Sequence, residues 1–293
     1  MYAIAGLTGH TGSAAAKLLL ERKQRVRGIV RDERKAAAWK ARGVELITAS
    51  LDDAAALTRA LSGVDGAYLL LPPDYSAPDL LAVHHRQADT MARAVQESGV
   101  PHVVFLSSMG GQHAAGTGPI RALHYAENAL GRAARNLTVL RAGYFLENWA
   151  PMLEGARVQG ALATFLTPGR PLTMVATTDI GRAAAEALLD PPRGTRIIEL
   201  SGPADWTPDD VARAVGELLG RPVRLQALPL DAAVPAFTAA GFSRNSAELL
   251  REMLDGLNRG TIAFEGGRAL RRRGTLGLKE ALGPLLAGVA SAG

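Results

Sequence analysis

The sequence predicts an α/β protein: a doubly wound parallel sheet followed by a smaller α/β region. Three observations carry that expectation. Short β-branched apolar runs alternate with stretches of helical period through the first half, the pattern of a parallel sheet covered on both faces. The first of these runs ends in a glycine turn that opens a helix, Gly6-Leu7-Thr8-Gly9-His10-Thr11-Gly12. With 293 residues, 47% of them hydrophobic, the chain has material for one large core or a core with an annex.

In chain order, strands are expected at Tyr2–Gly6, Arg25–Val30, Val44–Ile47, Ala67–Leu71, His102–Ser107 and Leu137–Arg141. Helices are expected between them at Thr11–Arg22, Arg34–Arg42, Asp53–Leu61, Pro78–Ser98 and Ile120–Ala134. Turn residues fall at the joints: Gly43, Gly63, Asp65-Gly66 and Gly99-Val100-Pro101. After Arg141 the rhythm breaks at Gly143, Pro151, Gly155, Gly160, Pro168-Gly169 and Pro171. It returns as a helix over Asp179–Leu189, a strand over Arg196–Leu200, a helix over Pro208–Leu219 and a strand over Val223–Leu228, with helical segments near Leu230–Ala240 and Ser246–Asn258. The division expected is a Rossmann domain over residues 1–150 and a smaller cap over 151–293, some of whose elements return to the main sheet.

Composition excludes several chemistries. There is no cysteine, which removes disulfides, thiolate metal sites, iron–sulfur clusters and thiol nucleophiles, so redox chemistry has to be borrowed from a cofactor. The formal charge of +5 comes from interspersed residues. The one basic cluster, Arg268-Ala269-Leu270-Arg271-Arg272-Arg273, has no interleaved aromatic platform, so nucleic acid is not an expected partner. The N-terminus runs straight into the glycine turn without a basic leader, and no apolar run reaches the ~18 residues of a membrane span. A soluble, cytoplasmic protein is expected.

Glycines at positions 6, 9 and 12 let the chain turn, bring backbone N–H groups to a pyrophosphate and pack the helix on the sheet. Phosphate then sits at the positive end of the helix, with Thr8, His10 and Thr11 as the polar turn residues beside it. The second strand runs into Arg31, with Arg34 and Lys35 one turn on. An arginine there accommodates the 2′-phosphate of NADP, whereas Asp32, one residue later, is where an NAD-type ribose ligand would stand.

Taken together, Gly6–Gly12, Val30-Arg31, Leu123-His124-Tyr125-Ala126-Glu127, Thr138-Val139-Leu140-Arg141, Gly143-Tyr144-Phe145-Leu146-Glu147-Asn148, Asp179-Ile180-Gly181-Arg182-Ala183-Ala184 and Trp206-Thr207 resemble the NmrA-like group of atypical short-chain dehydrogenase relatives. The likeness is strongest to its bacterial quinone oxidoreductases and triphenylmethane reductases. It implies NADP(H) as cofactor, with Arg31 on the 2′-phosphate and residues 48–52 flanking the adenine. The chain departs from the group at Ser50, where relatives often carry an acidic residue. It further implies that Leu70, Leu71, Pro72, Ser107 and the loop Gly143–Asn148 surround the nicotinamide, at the carboxyl ends of the strands.

No lysine lies between Lys40 and Lys279. The Tyr-x-x-x-Lys pair of ordinary short-chain dehydrogenases is therefore missing: Tyr125 is on the right helix, but Ala129 stands where the lysine belongs. His124 resembles the active-site histidine of the quinone-reducing relatives. It either protonates an electrophilic acceptor or hydrogen-bonds the cofactor ribose or a carbonyl. Tyr144, Asn148 and Trp149 either sandwich a planar acceptor or seal the cap. Phe237, Phe242 and Met253 are expected in apolar packing, while the adjacent His84 and His85 are expected at the surface and badly placed to share a metal.

The candidate catalytic residues are thus His124, Tyr144 and Asn148. The candidate cofactor contacts are Gly6, Thr8, Gly9, His10, Thr11, Gly12, Arg31, Lys35, Ser50, Leu70, Leu71, Pro72, Ser107 and Gly143. Two functions fit: an NADPH-dependent reductase of a small planar acceptor, working without flavin or metal, and a non-catalytic NADP(H) sensor that docks a protein partner.

Overall fold

The structure, a computed structural model, describes residues 1–291. The first half runs β1 (Tyr2–Ala5), α1 (His10–Glu21), β2 (Val26–Val30), α2 (Ala37–Lys40), β3 (Glu45–Thr48), α3 (Ala54–Leu61), β4 (Gly66–Leu69), α4 (Leu80–Ser98), β5 (Val103–Ser108), α5 (Ile120–Ala133) and β6 (Leu137–Ala142). The second half runs β7 (Tyr144–Phe145), a 3-10 stretch (Leu146–Met152), α6 (Leu153–Gln159), β8 (Ala161–Thr164), β9 (Leu172–Val175), α7 (Thr177–Leu189), β10 (Thr195–Ser201), β11 (Asp205–Trp206), α8 (Pro208–Leu219), β12 (Arg224–Ala227), α9 (Ala233–Ala239), α10 (Arg244–Arg259), β13 (Leu270–Arg273) and α11 (Leu278–Ser291). No helix among the described residues is long and apolar enough to cross a membrane.

Eight strands form one sheet in the order β3-β2-β1-β4-β5-β6-β10-β13, every neighbouring pair parallel. The strand order reverses between β1 and β4, and in such sheets the ligand crevice opens outside the carboxyl ends at that point. Burial on both faces explains the continuous apolar runs read in the sequence. Along β1, Ile4 packs with α1 and α7 on one face, while Ala3 and Ala5 pack toward α3 and α4 on the other. A third core, around Trp149, Leu153, Leu162, Val211, Val215 and Leu282, unites the elements of the second half.

β10 and β13 leave that half to extend the main sheet beyond β6. β12 does not join them: it pairs in parallel with β8 in a separate two-stranded sheet. β13 lies in the Arg-rich stretch read only as a charge cluster, because three arginines on an edge strand hide the apolar alternation that marks a strand. The helix expected over Arg34–Arg42 shrinks to a 3-10 turn (Glu33–Ala36) and the single turn α2. Only Ala36 in the two turns is buried, so little apolar surface holds a longer helix together.

Candidate active site

Each glycine of the first turn meets a distinct requirement. Gly6 has φ +65°, in the left-handed region. A Cβ at Gly12 would stand 2.3 Å from the Gly6 carbonyl oxygen and 2.8 Å from that of Ala5, so only glycine lets α1 approach β1. Gly9 is the N-cap of α1, its Cβ position meeting nothing nearer than the Gly6 oxygen at 3.3 Å, and no side chain caps the helix. The N–H groups of the first turn of α1 are therefore left for a ligand, and the arrangement fits a dinucleotide pyrophosphate. Thr8 and His10 are exposed beside it.

Thr11 corrects the sequence expectation. Its hydroxyl is buried and accepts the Tyr68 phenol proton at 2.9 Å, which turns the side chain toward the core. The neighbouring helix is held close by the same economy: a Cβ at Gly181 of α7 would lie 2.4 Å from the Thr11 carbonyl oxygen. Asp179, two residues earlier, accepts the N–H groups of Thr275 and Leu276, each at 2.9 Å, and anchors the approach to α11.

At the end of β2, the Asp32 carboxylate accepts from the Arg34 N–H at 3.0 Å and is gripped by the Arg34 guanidinium at 3.0 and 2.9 Å. The guanidinium hydrogen bonds hold the Asp32 carboxyl below its ordinary range. Asp32 is thus engaged and Arg34 with it, which removes Arg34 from the set of free cations expected here. Arg31 and Lys35 are exposed and have no ion-pair partner among the described residues. Ser50 turns its hydroxyl to Asp52, donating at 3.1 Å and accepting the Asp52 N–H at 3.2 Å.

After β4, the Leu70 side chain comes within 3.0 Å of the Cβ position of Gly6, closing the switch point from the far side. Leu71 packs partly buried, and the Pro72 carbonyl accepts from His84 Nε2 at 3.1 Å. His84 is buried, not a surface residue, and burial lowers its pKa. The pairing of a buried imidazole with a loop carbonyl leaves no trace in sequence spacing.

Beneath the carboxyl ends of β5 and β6 lies a buried ionic network. Ser107 donates to Glu127 at 2.5 Å, Glu127 is held by Arg141 at 3.0 and 2.7 Å, and Arg141 reaches Glu265 at 2.6 Å. Ser107 is 2% exposed, so its hydroxyl serves this network and does not face the nicotinamide as expected. Gly143 likewise has a packing reason to be glycine: the Thr173 carbonyl oxygen is 2.7 Å from its Cβ position.

His124 Nδ1 stands 2.9 Å from the Gly111 carbonyl oxygen, which can only accept. The ring proton is thereby assigned to Nδ1, and Nε2 accepts from the Asn128 amide at 3.2 Å. That amide is itself fixed by a 2.9 Å bond to the His124 carbonyl. His124 therefore ties the loop after β5 through a carbonyl, the second of the two roles expected for it. Tyr125 points to α4, where its phenol donates to Asp89 at 2.9 Å and its ring stacks on His85 at 4.1 Å. The Asp89 carboxylate raises the pKa of that phenol.

The aromatic side chains gather elsewhere. Tyr75 stacks on Phe242 with ring centroids 4.9 Å apart, Phe242 on Phe237 at 5.6 Å, and Phe165 tilts against Phe237 at 5.7 Å. The ladder joins the halves of the chain, since the Ser243 N–H donates to the Tyr75 carbonyl at 2.8 Å and the Leu80 N–H to Asn245 at 3.0 Å. Tyr144 lies beside it, its phenol raised well above the ordinary tyrosine value by burial and by nearby Tyr75, with Asn148 close by. Trp149 is fully buried in the third core, which excludes it from contact with an acceptor. Glu147, between them, accepts the N–H and hydroxyl of Thr177 and ties the loop to the start of α7. Among the described residues no group of three or more His, Asp or Glu side chains forms a metal cage.

A strand-order reversal and an uncapped helix behind a glycine turn define a dinucleotide-binding protein of the short-chain type, without its Tyr-Lys pair. The chain belongs to the NmrA-like family, whose model matches residues 2–261. It is 29% identical to an NAD(P)H azoreductase of Xenophilus azovorans over 86% of both chains. It is 30% identical to a (4-alkanoyl-5-oxo-2,5-dihydrofuran-3-yl)methyl phosphate reductase of Streptomyces griseus over 82% of this chain and 81% of that one. The fold matches that of an NADPH-dependent quinone oxidoreductase of Escherichia coli, solved with NADPH, at a TM-score of 0.82 and 23% identity, covering 99% of this chain and 100% of the other.

Proposed function

We propose that the protein reduces flat, conjugated acceptors, quinones foremost, with NADPH as reductant and without flavin or metal. The observation that carries this reading is the Tyr75–Phe242–Phe237 ladder at the junction of the two halves, with Tyr144 near Tyr75. Stacked rings accept a planar guest by offset stacking and exclude water from it. The related proteins are named for an azo compound, an oxo-dihydrofuran and a quinone, which are unsaturated electrophiles.

The first turn of α1 and the N–H groups around Gly9 hold the pyrophosphate, and Arg31 with Lys35 holds the 2′-phosphate. Leu70, Leu71 and Pro72 flank the nicotinamide, with the backbone after β4 fixed by His84. The cofactor, when bound, supplies a hydride. Tyr144 donates its hydrogen bond to the acceptor oxygen; its raised pKa keeps the proton in place and Asn148 orients the phenol. His124 acts on position, by fixing residues 109–113, and the network from Ser107 to Glu265 fixes the floor below them.

Steady-state NADPH oxidation against a panel of benzoquinones, naphthoquinones, azo dyes and aliphatic ketones, with a chelator present and no flavin added, tests the proposal. Turnover of the conjugated acceptors and not of the ketones is the expected outcome. Tight NADPH binding with no turnover of any acceptor would overturn it and leave the cofactor-occupancy sensor as the function.

A further inference from the structure

The last two strands of the sheet carry a polar face that the reductase reading does not use. Glu199 of β10 is in register with Arg271 of β13, and Ser201 with Arg273. Side chains alternate along a strand, so these four residues share one face at the carboxyl edge. Arg272 points the other way and pairs with Glu186 at 2.9 Å. A cavity of about 400 Å³ opens over the four, walled also by Arg170, Thr173 and the segment from Gly260 to Phe264. That volume is within the range of small-molecule sites. The cavity reaches Met109 after β5 on its inner side, while its arginine end on β13 lies four strands from β4, roughly 19 Å at ~4.8 Å per strand from the switch point.

Glu199 is 1% exposed. One of its oxygens accepts the Gly266 N–H at 2.8 Å, while Oε2 is buried with no hydrogen-bond partner. The Arg271 guanidinium stands 3.9 Å away, beyond hydrogen-bond range. Arg170 and Arg273 have no ion-pair partner among the described residues, whereas Asp205, the other carboxylate of the wall, already accepts the Thr173 hydroxyl at 2.7 Å. Arginines on an edge strand also discourage pairing with a foreign sheet. That role explains neither the buried carboxylate oxygen without a hydrogen bond nor the cavity above it.

We propose that this cleft is a second ligand site, taking a small phosphate monoester that also carries a hydroxyl group. Arg271, Arg273 and Arg170 hold the phosphate, since guanidinium groups match its oxygens in pairs. Glu199 Oε2 accepts the ligand hydroxyl and so gains the partner it lacks. The site is independent of the dinucleotide crevice and remains open when NADPH is bound.

Calorimetric titration of the NADPH-saturated protein with glycerol 3-phosphate, inorganic phosphate and glycerol tests this. Glycerol 3-phosphate should bind, inorganic phosphate at least about tenfold more weakly, and glycerol not at all. Arg273→Ala should weaken glycerol 3-phosphate at least about tenfold while leaving NADPH affinity and the melting temperature unchanged. Glu199→Gln should abolish the preference for glycerol 3-phosphate over phosphate, and Ser201→Ala, a milder change on the same face, should reduce it if Glu199→Gln does not fold. No binding of glycerol 3-phosphate at millimolar concentration, equal binding by Arg273→Ala, or displacement of the ligand by NADPH would each overturn the proposal.

Discussion

Replacing Arg31 with alanine should weaken NADPH selectively. In the structure Asp32, the residue that would favour NADH, is turned to Arg34 by three hydrogen bonds, whereas Arg31 is exposed without a carboxylate partner. Its loss removes a charge-assisted contact to the 2′-phosphate and frees no buried charge, so the cost should be about 1.5–3 kcal/mol, the range for hydrogen bonds to charged groups. At 1.4 kcal/mol per decade this is roughly a 10- to 150-fold rise in Kd for NADPH. NADH, which lacks that phosphate, should bind wild type and Arg31→Ala alike. Fluorescence titration of both proteins with both cofactors reads the difference. Equal NADPH and NADH affinities in wild type, or an equal loss of both in the variant, would refute the reasoning.

Other outcomes follow from the same geometry. Tyr125→Phe should retain most of the proposed quinone reductase activity, because that phenol is spent on Asp89; a loss of several hundredfold with NADPH binding intact would place it in the chemistry. Tyr144→Phe should lower turnover by roughly tenfold to a hundredfold with little change in NADPH affinity, and wild-type turnover should show no loss attributable to Tyr144 until well above pH 10, since burial raises that phenol. His102 is buried neutral, its pKa lowered from 6.5 to about 4 by burial and then by nearby Arg196. The unfolded chain takes up this proton near 6.5 and the folded one only near 4, so stability present above 6.5 is lost as pH falls through that window, by up to roughly 3 kcal/mol. Urea midpoints for wild type and His102→Gln between pH 7 and 5 should show the steeper fall in wild type; parallel slopes would remove His102 from the pH response.

Residues whose backbone or charge does the work could be read in advance, and those whose partners are distant could not. Gly6 and Gly12 announce the turn because a positive φ favours glycine at the first and a carbonyl oxygen 2.3 Å from the Cβ position demands it at the second. The continuous apolar runs of β4, β5 and β6 come from burial on both faces, which local sequence records. Thr11, Ser107 and His124 look like site residues by position, but their side chains are claimed by Tyr68, Glu127 and Gly111, partners 57, 20 and 13 residues away. Tyr75 and Phe242 form the aromatic wall only because the loop after β4 meets the start of α10, a contact that no periodicity encodes. β13 was hidden for the opposite reason: its arginines gave a charge signal stronger than its strand signal.

The central claim is that hydride passes from bound NADPH to a flat acceptor. The direct measurement is a single-turnover reaction of the protein with NADPH deuterated at the transferring carbon and a naphthoquinone, followed by both the loss of reduced cofactor and the fate of the label. The account predicts oxidation of the bound NADPH at one equivalent per site, slowed by deuterium, with the label leaving the cofactor. Bound NADPH that stays reduced in the presence of the quinone, while Arg31 still governs its affinity, would contradict it.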